Sequence, residues 1–478
     1  MFVGREEQLQ QLNALWRKRV SSLVTCRGRR RIGKSTLIER FAQKSGARFI
    51  KIEGEKPSAK TTREDELSVF ATQLAGQSEA EKTPPADWHD AFRRLDGEIR
   101  DSERTVVLLD EVSWLAHGDK TFPGELKRAW DNLLKKHDQL ILVLCGSVSS
   151  WIRDNIIDNS AFMGRRSADV VVKELSPRHC TRFWGSAVER IALREIFDVL
   201  SVTGGVPRYL EEIDPSLSAD DNIRNMAFSP NSILRTDFDE MFADAITRRP
   251  QFAGRILRSL VDGPRTPVEI ADAISVERGG NVTDSLRLLE ESGFVAQEAG
   301  RDPETGRTIR KRGYRIRDNY SRFYLKCIEP VKEVVDEGAF GFVGLEQFAG
   351  WSAIKGLAFE SLVVNNYREL LDPLHLGNAL VVSAGPYRRD AVPSIGRKGV
   401  QVDLLLQTDQ SLCLVEIKRR RQIGHEIVAE VDEKVKRIAR PSGVSMRTAL
   451  VYDGELAPTV EASGYFDAII PARKLLGL

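Results

Sequence analysis

The sequence predicts an α/β protein: a phosphate-binding core, a helical segment, a module of three helices and a hairpin, and a second α/β domain at the C-terminus. Three observations carry that expectation. A glycine-rich turn ending in Gly33-Lys34-Ser35-Thr36 lies between an apolar run and an amphipathic one. A second apolar run delivers Asp110 and Glu111 at its end. Far downstream, two apolar runs joined by a polar turn bring Asp403, Glu416 and Lys418 into strand spacing.

A chain of 478 residues exceeds what one hydrophobic core supports, so several domains are expected. The mix of 41% apolar and 29% charged residues suits packed domains rather than disorder. Basic and acidic residues nearly cancel, 71 against 69, so a nucleic-acid footprint has to be a local patch. Cys26, Cys145, Cys180, Cys327 and Cys413 are far apart and odd in number, against a disulfide framework or a zinc ribbon. The start lacks a basic region followed by an apolar one, and runs such as Leu140–Cys145 are too short to span a bilayer. The expectation is a cytoplasmic protein without membrane contact.

The first element is a short buried strand over Ser21–Arg27, running into Gly28-Arg-Arg-Arg-Ile-Gly33-Lys34-Ser35-Thr36 and then a helix carrying Leu37, Ile38 and Phe41. This is the phosphate-loop spacing GxxxxGK[ST] in its strand–loop–helix context. Glycines let the backbone close around a phosphate, and the helix start aims free N–H groups at it. Lys34 then reaches the β- and γ-phosphates of ATP and the Ser35 hydroxyl ligates Mg²⁺, with Thr36 beside it.

A strand over Thr105–Leu109 presents Asp110 and Glu111 at its carboxyl end, where open α/β sheets bind ligands. Asp110 is expected to hold Mg²⁺ through water, and Glu111 to orient or deprotonate the attacking water. An acidic pair after a strand can also simply cap a helix; the upstream loop favours the catalytic reading. The strand Leu140–Cys145 leads to Ser147, either a γ-phosphate contact or a turn serine. Gly164-Arg165-Arg166 precedes a further strand over Ala168–Leu175, and Arg165 is a candidate for stabilising transition-state charge in a neighbouring subunit's site.

Residues 177–248 follow as a helical segment, after a core over 1–176. In 249–330 the pattern changes. Phe252, Ile256, Leu257 and Leu260 mark one helix; Thr266 caps a second, with Pro267 in its first turn; Val282, Leu286 and Leu289 mark a third, ending at Gly293. A hairpin over Phe294–Ile316 turns near Asp302–Gly306 and is basic, with Arg301, Arg307, Arg310, Lys311, Arg312, Arg315 and Arg317 on or beside it. Three helices and a hairpin are the winged-helix arrangement. Such a wing either tracks a phosphate backbone or is a solvated face of a packing module.

The last segment, 345–478, begins with a helix over about Leu357–Leu371 containing Glu360. Val400–Leu406 and Leu412–Lys418 then read as a strand hairpin. Side chains repeat every two residues along a strand, which sets Asp403 on one strand and both Glu416 and Lys418 on the same face of the next. Two carboxylates and a lysine on a sheet edge can hold Mg²⁺ and activate water for phosphodiester hydrolysis, Lys418 orienting that water or stabilising charge at phosphorus. Glu360 is a further candidate metal ligand, and Lys434, Lys436 and Arg419–Arg421 add positive charge. The plainer reading is an exposed hairpin carrying charge for solubility.

Phe2-Val3-Gly4-Arg5-Glu6 resembles the adenine-side entry motif of AAA+ and STAND-type ATPases. Together with GRRRIGKST, LLDE, FMGRRS and Thr203-Gly-Gly-Val-Pro-Arg-Tyr-Leu210 it resembles the archaeal-type P-loop ATPase family. That resemblance implies an AAA+ core with a helical lid, an arginine finger at Arg165 and a sensor arginine at Arg208. Glu360, Asp403 and Glu416-Ile417-Lys418, in that order, resemble the PD-(D/E)XK nuclease superfamily, with Gln401-Val402-Asp403 in place of its Pro-Asp dipeptide. The implied C-terminal domain is restriction-endonuclease-like.

The combined expectation is an ATP-hydrolysing protein that controls a Mg²⁺-dependent nuclease acting on DNA or RNA, with homo-oligomers forming through the nucleotide sites. The resemblance further implies defence or mobile-element biology. The alternative is a nucleotide-dependent nucleic-acid-binding switch with a non-catalytic nuclease fold.

Overall fold

The computed structural model describes residues 1–58, 60–147, 150–246, 249–309, 312–337, 344–348 and 350–478. The chain divides into two compact units, Met1–Glu174 with Met241–Thr247, and Leu175–Glu240 with Arg248–Leu478.

The first unit is built on five parallel strands: β1 (Ser22–Gly28), β2 (Arg48–Glu53), β3 (Thr105–Asp110), β4 (Leu140–Ser147) and β5 (Arg166–Val171), in the order β2-β3-β4-β1-β5. Every residue of β3 and β4 is buried, as continuous apolar runs require when both faces of a sheet are covered. Alternate residues take opposite sides. Val106, Leu108, Ile141 and Val143 pack with Leu12, Leu37 and Phe41, while Val107, Leu109, Leu142 and Leu144 pack with Phe70, Trp88, Phe92 and Phe122.

The sequence reading did not anticipate β2, and the last core strand starts at Arg166 and ends at Val171 rather than spanning Ala168–Leu175. Leu175 instead belongs to the second unit, where its amide donates to the Gly205 carbonyl at 2.8 Å.

In the second unit, helices Leu193–Thr203, Pro207–Leu210 and Ala219–Ala227 precede helices Pro250–Ser259, Pro267–Ala273 and Gly280–Glu291. Thr266 and Glu269 close a capping box around the start of Pro267–Ala273. β6 (Val295–Gln297) then pairs antiparallel with β7 (Tyr314–Ile316).

The basic hairpin is bonded to the C-terminal sheet. The Ala299 amide donates to the Pro386 carbonyl at 2.7 Å, the Gly300 amide to Ser383 Oγ at 3.2 Å, and Gln407 Nε2 to the Arg301 carbonyl at 2.8 Å. Arg397 pairs with Glu304 at the turn. The backbone after β6 is thus bound along the C-terminal sheet, because its unpaired N–H groups find acceptors there. Arg315 is buried, Arg301 and Arg307 are exposed, and Arg310 and Lys311 lie outside the described residues.

The C-terminal part follows helix Trp351–Asn365 with five strands: β8 (Ser383–Arg389), β9 (Val400–Gln407), β10 (Ser411–Ile423), β11 (Ser445–Leu456) and β12 (Ala468–Pro471), in the order β12-β11-β10-β9-β8. β8, β9 and β10 run antiparallel, and β10, β11 and β12 parallel, with helix Glu426–Arg437 as the β10–β11 connection. The helix expected over Leu357–Leu371 starts earlier, at Trp351, and ends at Asn365. Among the described residues no helix is long and apolar enough to cross a membrane. All five cysteines are buried, and among the described residues none forms a disulfide.

Candidate functional sites

Gly28, at the end of β1, has the Val172 backbone against it: a Cβ there would sit 2.2 Å from the Val172 carbonyl oxygen. Gly33 caps helix Lys34–Ser45 in the left-handed region, at φ 84°. The two motif glycines therefore serve different needs, close approach at one and a turn at the other. Lys34 is buried and its Nζ donates back to the Arg29 carbonyl at 3.2 Å, inside the loop. Ser35 is half-buried and Thr36 exposed on the first turn, where helix N–H groups lack intrahelical acceptors. The entry motif reaches the same loop: the buried Arg5 guanidinium donates to the Ile32 carbonyl at 2.9 Å and the Lys173 carbonyl at 2.7 Å.

Asp110, Ser147 and Gly28 end the neighbouring strands β3, β4 and β1, so the parallel sheet gathers them at one edge. Asp110 is buried, its Oδ1 accepting from the Glu111 amide at 3.1 Å. Glu111 adopts φ 44°, ψ 50°, an unusual conformation for a residue with a side chain, and its Oε2 accepts from both the Ser147 amide and hydroxyl at 3.2 Å. Ser147 thus anchors Glu111, a role beyond either reading of the sequence.

Sequence reasoning also missed Lys51 on β2. Its Nζ lies 2.8 Å from Glu53 and 3.5 Å from Asp110. Burial works against its charge, but the hydrogen bond to Glu53 and the nearby Asp110 and Glu39 carboxylates hold its pKa above the ordinary lysine value.

Arg165 donates from Nε and Nη2 to Asp131 at 2.7 and 3.0 Å, and from Nη1 to the Ala161 carbonyl at 2.8 Å. The Arg165 hydrogen bonds hold the Asp131 carboxyl down at about 2. Arg208 belongs to the second unit, on helix Pro207–Leu210, where it pairs with Glu212.

A second constellation lies on the C-terminal sheet. Glu416 on β10 is wholly buried, and the Ile417 amide donates to Asp403 Oδ2 at 2.9 Å across to β9. Lys418 Nζ is 2.7 Å from Glu416 Oε1 and 3.4 Å from Glu430. Lys434, from helix Glu426–Arg437, sits 2.8 and 2.6 Å from the two Glu416 oxygens.

Burial, then the negative charges of Glu416 and Glu360, push the Asp403 carboxyl up to about 7 against the pull of Lys434. Burial likewise raises the Glu360 carboxyl, opposed by Arg315 and Arg322 and reinforced by Glu416. Burial also lowers both guanidiniums to about 10. Glu360, Asp403 and Glu416 therefore act on one another through their charges. Still, among the described residues no three His, Cys, Asp or Glu side chains form a ready-made metal cage. Lysine ammonium groups occupy Glu416 instead.

Asp403 and Glu416 are nevertheless hard oxygen donors on adjacent strands, the donor type that could hold Mg²⁺ or a similar ion. Beside them lies a groove of about 500 Å³ bounded by Arg388, Arg389, Asp403, Lys434 and Arg437.

Next along β10, the buried Arg419 guanidinium pairs with Asp198 at 2.8 Å and Asp453 at 2.9 Å, and donates to Ser201 Oγ at 3.1 Å. It also lies 6.0 Å from the ring centroid of Phe359, the neighbour of Glu360. Asp198 and Ser201 come from helix Leu193–Thr203, so this helix is tied to the strand bearing Glu416 and Lys418.

Comparison with known proteins bears on the first of these sites. Residues 2–213 match the family described as "ATPase domain predominantly from Archaea". Over 422 residues the chain is 24% identical to an uncharacterised protein of Methanocaldococcus jannaschii, covering 87% of each. A 43-residue stretch is 42% identical to an uncharacterised ATP-binding protein of the same organism, covering 9% of this chain and 73% of that one. The Walker-type ATPase of Pyrococcus abyssi shares the fold at a TM-score of 0.50 with 18% identity, over 68% of this chain and 96% of its own. Residues 2–213 are therefore an archaeal-type ATPase domain with a P-loop core, which binds and hydrolyses ATP.

Proposed function

We propose that ATP turnover in this domain controls a divalent-cation-dependent phosphodiesterase centred on Asp403, Glu416 and Lys418, acting on DNA or RNA. The observation that supports it most is that these side chains sit together beside an arginine-lined groove. In this reading residues 249–330 are a winged helix and 345–478 a PD-(D/E)XK-type domain.

At the nucleotide, Lys34 meets the β- and γ-phosphates, Ser35 and Asp110 serve Mg²⁺, and Glu111, held by Ser147, orients the attacking water. Arg165 serves a neighbouring copy's site, released from Asp131, and Arg208 acts as a sensor. In the C-terminal domain Asp403 and Glu416, with Glu360, would hold the divalent cation. Bound there, such an ion supplies Lewis acidity and makes water a better nucleophile. Lys418 orients that water or stabilises charge at phosphorus, while Arg388, Arg389 and Arg437 attract the polyanion.

One observation favours a second reading, a nucleotide-dependent nucleic-acid-binding switch: Lys418 and Lys434 already neutralise Glu416. Cleavage of single- and double-stranded DNA and RNA with Mg²⁺ or Mn²⁺, with and without ATP, separates the two. Cleavage lost in Lys418→Ala and altered in Lys34→Ala is expected. Intact ATP hydrolysis with no cleavage by the wild type under any condition would leave the switch.

A further inference from the structure

Two ammonium groups share the wholly buried Glu416, and they are not equivalent. Lys418 lies two residues along the same strand and has Glu430 as a second carboxylate at 3.4 Å. Lys434 comes from helix Glu426–Arg437, contacts both Glu416 oxygens, and among the described residues pairs with no other carboxylate. It also borders the groove that Arg388, Arg389, Arg437 and Asp403 bound. One side chain therefore touches both the buried acid and the space open to a ligand.

A carboxylate has lone pairs to spare, but a dication and an ammonium on the same two oxygens repel strongly where water is excluded. The lysine stem is flexible, and its head is stable in a solvated groove.

We propose that Lys434 is a built-in counterion occupying the place on Glu416 that a divalent cation takes. Cation loading moves its ammonium from Glu416 into the groove, where it meets a phosphate of the substrate. Lys434 is then a positioning residue for the empty site and a substrate contact in the loaded one. The inference rests on the cation-dependent reading of Asp403 and Glu416.

Binding of MnCl₂ to the nucleotide-free full chain, by calorimetry or by the free-Mn²⁺ paramagnetic resonance signal, tests it. Asp403→Asn should abolish the relevant binding. Lys434→Gln, which removes the competing charge, should tighten it on the order of tenfold. Lys434→Arg should stay at or below wild-type affinity.

If Asp403→Asn abolishes binding while Lys434→Gln leaves it unchanged or weaker, the counterion role is overturned and the cation site survives. If no Mn²⁺ binding depends on Asp403, both the role and the cation-dependent reading fall. A measurement on the wild type covers a Lys434→Gln variant that does not fold. Reductive methylation read by mass spectrometry should label Lys434 several-fold faster with Mn²⁺ than without; equal labelling overturns the proposal.

Discussion

Glu66, in helix Arg63–Ala75, is a carboxyl held where charge is costly. It is 1% exposed, and its Oε2 has no hydrogen-bond partner among the described residues. Burial first, then the nearby Glu55, pushes its pKa up to about 7. The folded state thus binds a proton that the unfolded state releases near pH 4.5. Its contribution is complete below that pH and is lost as pH rises towards 7. Glu66→Gln, which mimics the protonated form, should stabilise the protein by on the order of 2 kcal/mol at pH 8 and hardly at all at pH 4. Urea unfolding at the two pH values measures this; an equal effect at both would show that charge is not the cause. Nothing in the sequence marks Glu66, because its burial comes from tertiary packing. The same holds for Ser147 on Glu111 and Lys434 on Glu416, pairs 36 and 18 residues apart. Lys34, Asp110, Glu416 and Lys418 stand out in the sequence because local spacing alone marks them as candidates.

At the level of elements, what was readable tracks how completely an element is buried. Strands β3 and β4 read as unbroken apolar runs because both their faces are covered. β2 escaped notice: it is an edge strand, and Arg48 and Lys51 interrupt its apolar pattern. β8 contains Gly385 and Pro386, residues that argue against a strand except at a sheet edge, where it lies. The hairpin after β6 was legible as a hairpin, but its docking along β8 uses backbone amides that sequence cannot distinguish. That docking divides its arginines. Arg315 is buried and donates to Asn365 Oδ1 at 2.7 Å, so Arg315→Ala should lower thermal stability. Replacing the exposed Arg301 and Arg307 together should leave the melting temperature nearly unchanged. If the hairpin contacts a phosphate backbone, that pair should reduce the salt slope of nucleic-acid binding by about 1 to 2. Melting curves and binding isotherms over a salt series read both effects, and an unchanged slope would remove this face from the nucleic-acid path.

Over the whole molecule, the matched ATPase domain and the compact units have different borders. The family match runs to residue 213, whereas the first unit's main segment ends at Glu174. The intervening helix Leu193–Thr203 packs within the second unit and supplies Asp198 to Arg419. Arg419→Met would leave Asp453 without its buried guanidinium and Asp198 with Lys355 at 3.6 Å, at a cost of about 3–5 kcal/mol. Calorimetry should locate that loss in the unfolding of the second unit, with ATP binding by the first retained. A Tm unchanged by the substitution would show the cluster to be passive.

The Arg419–Asp198 pair also bears on how such proteins can be recombined. A chimera joined at residue 213 would take Arg419 and Asp453 from one parent and Asp198 from the other. A graft carrying residues 345–478 alone would expose a guanidinium built for burial. Residues 345–478 are therefore not a detachable cassette, and exchange between relatives should succeed only when the donor piece begins before Leu193.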